Sequence, residues 1–361
     1  MSGARTQQGG RRAAPRRRAA DTLSYIPPVR EPRFTVKALR AAGISGLFLA
    51  WLAGFAVALT SVVAVGFPDT FARYGAGLLT VVFVVGTARR SGGRATLWGV
   101  LALALVGVAL FTTWSWAIAA GSVVAAVFAA VWAVLITRPA ARVGSVVREY
   151  VIALVVASSG TAAVAAWDAT VEYRRYYLIV LIVALAITFG IVWSLGAGLH
   201  GLGRRGVALI IGGAALLALV LLYSTAVRQY GSAEVVDAID RTAAWLHDTT
   251  GGVPRPAEVL VGFPALVWGI STRSHRRQGW WMCAFGVVGT AVMTTALASP
   301  NADTTYVALS TLYSAILGLA IGLVIRSLDP GSTSKSGQRA ARRASAQDEI
   351  RPEPARSHAL K

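Results

Sequence analysis

The stretch from Trp167 to Tyr177, WDATVEYRRYY, sets two carboxylates and two guanidiniums close together: Asp168, Glu172, Arg174 and Arg175. Asp168 and Glu172 stand four apart, the spacing that puts two side chains on one face of a helical extension. Arginine grips phosphate or carboxylate through paired N–H donors, and a carboxylate can act as a base or a metal ligand. A lipid-linked sugar phosphate suits that combination, so these four are the candidate substrate-binding residues. The competing reading is an interfacial loop of neutralised charges, with Tyr173, Tyr176 and Tyr177 as an aromatic belt.

No other stretch offers catalytic machinery. The SSG at 158–160 lacks the partner histidine motif of a serine nucleophile. There is no HExxH and no paired-cysteine spacing, and the lone Cys283 excludes an intramolecular disulfide. His200, His247, His275 and His358 are scattered along the chain. GLHGLGRRG lacks the GK[ST] ending of a phosphate-binding loop. The sequence therefore gives no catalytic residue, metal site or cofactor, and it is not read primarily as an enzyme.

Composition dictates what must position such a patch. Hydrophobic residues make up 55% of the 361, charged residues only 14%, and mean hydropathy is +0.59; a soluble domain carries about a quarter charged residues. A hydrocarbon core about 30 Å thick needs roughly 20 apolar residues of helix. The apolar runs predict ten spans, at about 41–66, 74–88, 95–111, 115–136, 147–166, 177–199, 207–223, 258–271, 280–298 and 306–326. Continuous Ala/Leu/Val/Ile runs without period-two alternation favour helices over barrel strands. The expected fold is an all-α polytopic membrane protein, a bundle of about ten transmembrane helices with both termini cytoplasmic.

Charge sets that orientation. With the N-terminus inside, 29 of the 35 lysines and arginines fall on the cytoplasmic side, leaving Arg73, Arg174, Arg175, Arg228, Arg241 and Arg255 outside. Such asymmetry is the positive-inside pattern. The net charge of +19 is then mostly topology, and nucleic acid is not an expected partner. RSHRRQGWWMC, Arg273 to Cys283, reads as the last short inner loop. Trp280 and Trp281 open the ninth span at the membrane interface, and Cys283 acts as a small apolar packer.

Flanking segments divide the chain into three parts. Residues 1–40 and 327–361 read as disordered basic cytoplasmic tails, and RRAAPRRR (Arg11 to Arg18) suits anionic lipid head groups. Residues 41–326 form the membrane domain. Its one long outer segment, 224–257, contains an amphipathic helix with Val235, Ile239, Ala243 and Leu246 near one face.

Within the spans no charged residue is expected near the midplane, with Glu258 placed at the outer mouth of the eighth. Polar side chains there are Ser158, Ser159, Thr161, Thr290, Thr294, Thr295, Ser310, Thr311 and Ser314, which can line a path or bond between helices. GLAIGL spaces Gly318 and Gly322 for close approach of another helix. The expected function is permease-like, moving a neutral or amphipathic solute or a lipid-linked molecule. The alternatives are an accessory or scaffold subunit of a cell-envelope complex, with a membrane-protein partner, and a membrane transferase using lipid-linked substrates. The lipid bilayer is the expected surrounding. Ala-, Gly- and Arg-rich usage points to the plasma membrane of a high-GC bacterium.

Overall fold

The computed structural model describes residues 34–63, 68–195, 203–274, 279–299, 302–328, 353–354, 356 and 358–360. The expected N-terminal tail lies outside them up to residue 33, and the expected C-terminal tail from 329 to 352. All described elements are helical: α1 (Phe34–Ala58) with a 3-10 turn (Leu59–Ser61), α2 (Asp69–Ser91), α3 (Ala95–Phe111), α4 (Ser115–Leu135), α5 (Val143–Trp167), α6 (Tyr173–Ser194), α7 (Gly203–Tyr230), α8 (Ala233–Thr250), a π-helical turn (Ala257–Gly262), α9 (Phe263–Thr272), α10 (Gly279–Thr294) and α11 (Thr304–Leu328). The bundle proper is the compact unit that begins at Gly46.

Apolar runs close their own backbone hydrogen bonds as helices because acyl chains offer no partner. The helices stop where local chemistry stops them. Gly92 and Gly251 take left-handed conformations (φ 80° and 71°) after α2 and α8, the usual glycine role past a helix end. Asp168 does the same after α5, with φ 47°.

Six helical stretches are both long and apolar enough to cross a membrane: Ala41–Ser61, Thr70–Ser91, Ser115–Leu135, Val143–Trp167, Tyr173–Ser194 and Thr304–Leu328. Four shorter apolar stretches, Ala95–Phe111, Ile210–Tyr223, Ala257–Thr272 and Gly279–Thr294, lie where the other expected spans were placed. An α-helical membrane protein stands; among the described residues six helices meet the requirement of length and composition, and the count of about ten is not confirmed by it.

The layers follow from which faces are covered. Every residue of α10 is buried, packed among α4, α5, α6, α9 and the π turn. Around this centre the outer helices present bare apolar rows, such as Val100, Leu101 and Leu103 on α3, Ile179 and Ile182 on α6, and Leu312, Ile316 and Val324 on α11. In water such rows would be a costly contiguous patch; against acyl chains they cost nothing.

Small residues let the central backbones touch. A Cβ at Gly262 would run into the backbone nitrogen of Gly289, and one at Gly318 would lie 2.5 Å from Cβ of Phe263. Gly322 faces Val267 in the same way, at 2.7 Å, so the GLAIGL spacing does mark a helix contact. Hydroxyls and indoles stitch the helices together. Thr290 donates to the carbonyl of Ala130 (3.0 Å) and Thr161 to that of Met293 (2.9 Å). Trp51 donates to Ser159 (2.9 Å) and Trp167 to Thr80 (3.1 Å).

One expectation changes. Trp280 and Trp281, placed at a lipid interface from sequence, are 4% and 5% exposed and covered by protein, Trp281 packing on Phe189 and Trp193. The amphipathic helix exists as α8 but buries no residue. Val236, Ala243, Leu246 and Thr250 are half-covered, while Val235, Ile239 and Trp245 are exposed. An apolar row left open beside a membrane bundle fits a helix resting on the interface.

Candidate functional site

The four patch residues are each tied into a helix end. Asp168 is the C-cap of α5 and meets Arg73 of α2 at 3.5 Å, its side chain 71% exposed. Glu172 is the N-cap of α6, accepting hydrogen bonds from the backbone nitrogens of Arg174 and Arg175, both at 3.1 Å. Its carboxylate also meets Arg175 Nε at 3.3 Å. A capping acid satisfies orphan N–H groups and complements the positive helix end. Glu172→Ala is therefore expected to cost about 1 kcal/mol of stability, while Glu172→Asp keeps most of it. Thermal unfolding of the detergent-solubilised protein checks this.

The arginine-rich end of the bundle is more heavily bonded. The carboxylate of Glu149, buried in α5, accepts from the backbone nitrogen of Arg138 (3.0 Å) and from Arg148 Nη2 (3.0 Å). Arg356 Nη2, from the far C-terminal segment, reaches both of its oxygens, Oε2 at 2.6 Å. Arg326 of α11 donates to the Ala141 carbonyl and to Ser271 Oγ. Arg273, expected in the last short inner loop, is 5% exposed and stacks over Trp280 with its guanidinium carbon 4.0 Å from the ring centre.

The most unusual constellation lies where α8 gives way to α9. After Gly251 the chain is extended through Arg255 and re-enters as the π turn. Turns of this kind are rare and cluster at functional positions. This extended stretch runs alongside α11 in the same chain direction. The Val253 nitrogen donates to Ser310 Oγ (3.0 Å), and the Arg255 nitrogen to Ser314 Oγ (2.8 Å). Gly252 permits the approach, since a Cβ there would lie 2.7 Å from the Ser310 nitrogen. Tyr313 closes the start of the stretch by donating to the Thr250 carbonyl (2.8 Å). Unwound backbone is tolerated in a membrane bundle only where protein or a lined path satisfies it, and here serine hydroxyls do so.

That stretch carries a charge pair inward. Arg255 Nη1 contacts Glu258 Oε1 at 3.1 Å and the Thr311 hydroxyl at 3.3 Å. Glu258 is fully buried, and its Oε2 makes no hydrogen bond; the Ser314 hydroxyl lies beside the carboxylate. Ser314 is ten residues into the 25-residue α11, about 15 Å along its axis at 1.5 Å per residue. Glu258 is thus well inside the bundle, not at its mouth as sequence position suggested. Tyr150, close to it from α5, donates to the Ala315 carbonyl at 2.9 Å. Three helical layers, α5, the π turn with α9, and α11, therefore converge on a fully buried carboxylate paired with a half-covered arginine and lined with hydroxyls.

Because it follows a Gly/Pro break, Glu258 reads from sequence as sitting at the outer mouth of the eighth span rather than inside the bundle. The available signal was RPAE, an arginine and a glutamate three apart on re-entry to an apolar run. Among the described residues, no three of His, Cys, Asp or Glu come together as a metal site. The fold defines a class, α-helical membrane proteins with several apolar spans. Comparison with known protein families, curated proteins and solved structures finds no match.

Proposed function

We propose that the protein is a permease-like transporter of the plasma membrane, and that the Arg255–Glu258 pair with Ser310, Thr311 and Ser314 binds its solute. The observation that carries the reading is the interrupted segment, extended over 252–255 and π-helical over 257–262, that brings a buried carboxylate with its arginine partner into the bundle. Broken membrane segments and ionisable groups at depth are the building materials of solute and ion sites. Hydroxyls around a guanidinium and a carboxylate suit a small polar or amphipathic solute.

In this reading the chain crosses the membrane ten times, α9 and α10 being covered by neighbours rather than matched to lipid. The arginine-rich end faces the cytoplasm by the positive-inside rule, and the basic tails lie against anionic lipid. The outer patch of Asp168, Glu172, Arg174 and Arg175 then sits at the opposite mouth, where it can draw in or orient a charged part of the solute.

Reconstituted vesicles test this with a panel of labelled sugars, amino acids and amphipathic amines. Uptake above protein-free vesicles is expected for at least one class, and Glu258→Gln, folded as judged by unfolding temperature, should reduce it by about tenfold or more, the effect of one lost charged contact. Flux for no class, or flux untouched in Glu258→Gln, overturns the assignment. A stable membrane-protein partner recovered with a flux-silent protein would instead favour the scaffold role.

A further inference from the structure

The two oxygens of Glu258 are unequally served. Arg255 Nη1 reaches Oε1 at 3.1 Å, whereas Oε2 is buried and makes no hydrogen bond. A polar atom taken out of water without a new partner is costly, so this oxygen is where a ligand's donor completes the site. The two side chains also differ in cover. That of Glu258 is fully buried, while that of Arg255 is 20% exposed. The guanidinium keeps part of its hydration; the carboxylate has only what protein or a ligand gives it.

Aromatic rings stand beside the pair. Tyr173 and Tyr177, one turn apart on α6, stack with centroids 6.3 Å apart and planes 21° apart. Both lie within electrostatic reach of Arg255 and Glu258. The face of an aromatic ring attracts a cation through its quadrupole.

Charge on the approach has the same preference. α8 leads directly into the extended stretch, and it carries exposed Glu234, Asp237, Asp240 and Asp248 against the single Arg241. An approach of one sign raises the local concentration of the opposite ion.

We propose that the solute of this site is an organic cation, an ammonium or guanidinium compound whose N–H donors bond Glu258 Oε2 beside the rings of Tyr173 and Tyr177. The inference rests on the reading of the pair as a solute site and narrows it from polar or amphipathic solutes to cationic ones. Oε1 stays with Arg255, so the carboxylate bridges two positive groups, one on each oxygen. A hydroxyl can also reach Oε2, but a charged donor bonds about twice as strongly as a neutral one, and it alone gains from the rings. An anionic solute is repelled by the bare oxygen and by α8.

The test reads binding rather than flux, on the full-length chain in detergent. Isothermal titration calorimetry compares phenethylamine with phenethyl alcohol, and butylguanidinium with butylurea, each pair alike in shape and unlike in charge. At least one cation is expected to bind about tenfold more tightly than its neutral counterpart, the effect of one charge-assisted contact. Glu258→Gln should remove that preference. Tyr173→Leu should weaken cation binding about threefold, and Tyr173→Phe, which keeps the ring, should not. No cation binding, neutral compounds bound as tightly as the cations, or a preference that survives in Glu258→Gln overturns the proposal. The comparison within the unaltered protein decides even where a variant does not fold. A bound cation that never crosses vesicles overturns the transport reading alone, whereas sugar uptake without cation binding overturns this inference alone.

Discussion

Arg255→Ala is expected to cost about 3–5 kcal/mol, the penalty for leaving one member of a buried ion pair without its partner. The stranded group is the Glu258 carboxylate, fully buried and with Arg255 as its hydrogen-bonded counter-charge. The double variant Arg255→Ala/Glu258→Gln should recover most of that loss, because a neutral amide needs no counter-charge. A double-mutant cycle on the solubilised protein, read by denaturant unfolding, measures the coupling. Additive losses would show that the two side chains do not depend on each other. The same variants separate stability from transport, since Arg255→Ala/Glu258→Gln should be folded and inactive.

Gly262→Val is the second large effect. The added side chain would enter the space of the Gly289 backbone, where neither partner has a flexible tip to move aside. Overpacking typically costs 1–3 kcal/mol; a clash of backbone against side chain at the centre of the bundle should reach about 3 kcal/mol or more. The recovered yield of monodisperse protein should fall sharply. Gly107→Ala and Gly190→Ala are the controls, because a Cβ at either meets nothing within 4 Å. Both lie inside helices, where alanine is favoured over glycine by about 0.5–1 kcal/mol, so they should be neutral or stabilising. Equal losses at all of these positions would remove the special status of the Gly262–Gly289 contact.

Much of the architecture is written in the apolar runs. Each predicted span overlaps an observed helix, because an unbroken Ala/Leu/Val stretch has a single way to satisfy its backbone in lipid. Which helix lies at the centre is not written there. Lipid tails and neighbouring side chains are equally apolar, so GWWMCAFGVVGTAVMT looks alike whether it faces acyl chains or, as α10 does, only protein. Arg273 shows a similar limit: its charge marks the end of an apolar run, but its seat on the carbonyl of Thr137 depends on a residue more than a hundred positions away. Glu258 is the sharpest case. A Gly/Pro break normally signals a surface loop, and only the hydroxyls of Ser310 and Ser314, spaced four apart on α11, carry that break into the interior.

The enclosure of α10 also bears on how the protein meets membranes of different thickness. At 16 residues it is about 24 Å long, shorter than the hydrocarbon it sits within, and no side of it is in contact with lipid. Helices that touch lipid answer a mismatch by tilting, or by drawing the bilayer thinner or thicker around them. The outer rows on α3, α6 and α11 bear that adjustment, while α10 and the π turn locked against it through Gly262 and Gly289 are shielded. Lipid composition can then change the lean of the outer helices without setting the spacing of the innermost pair.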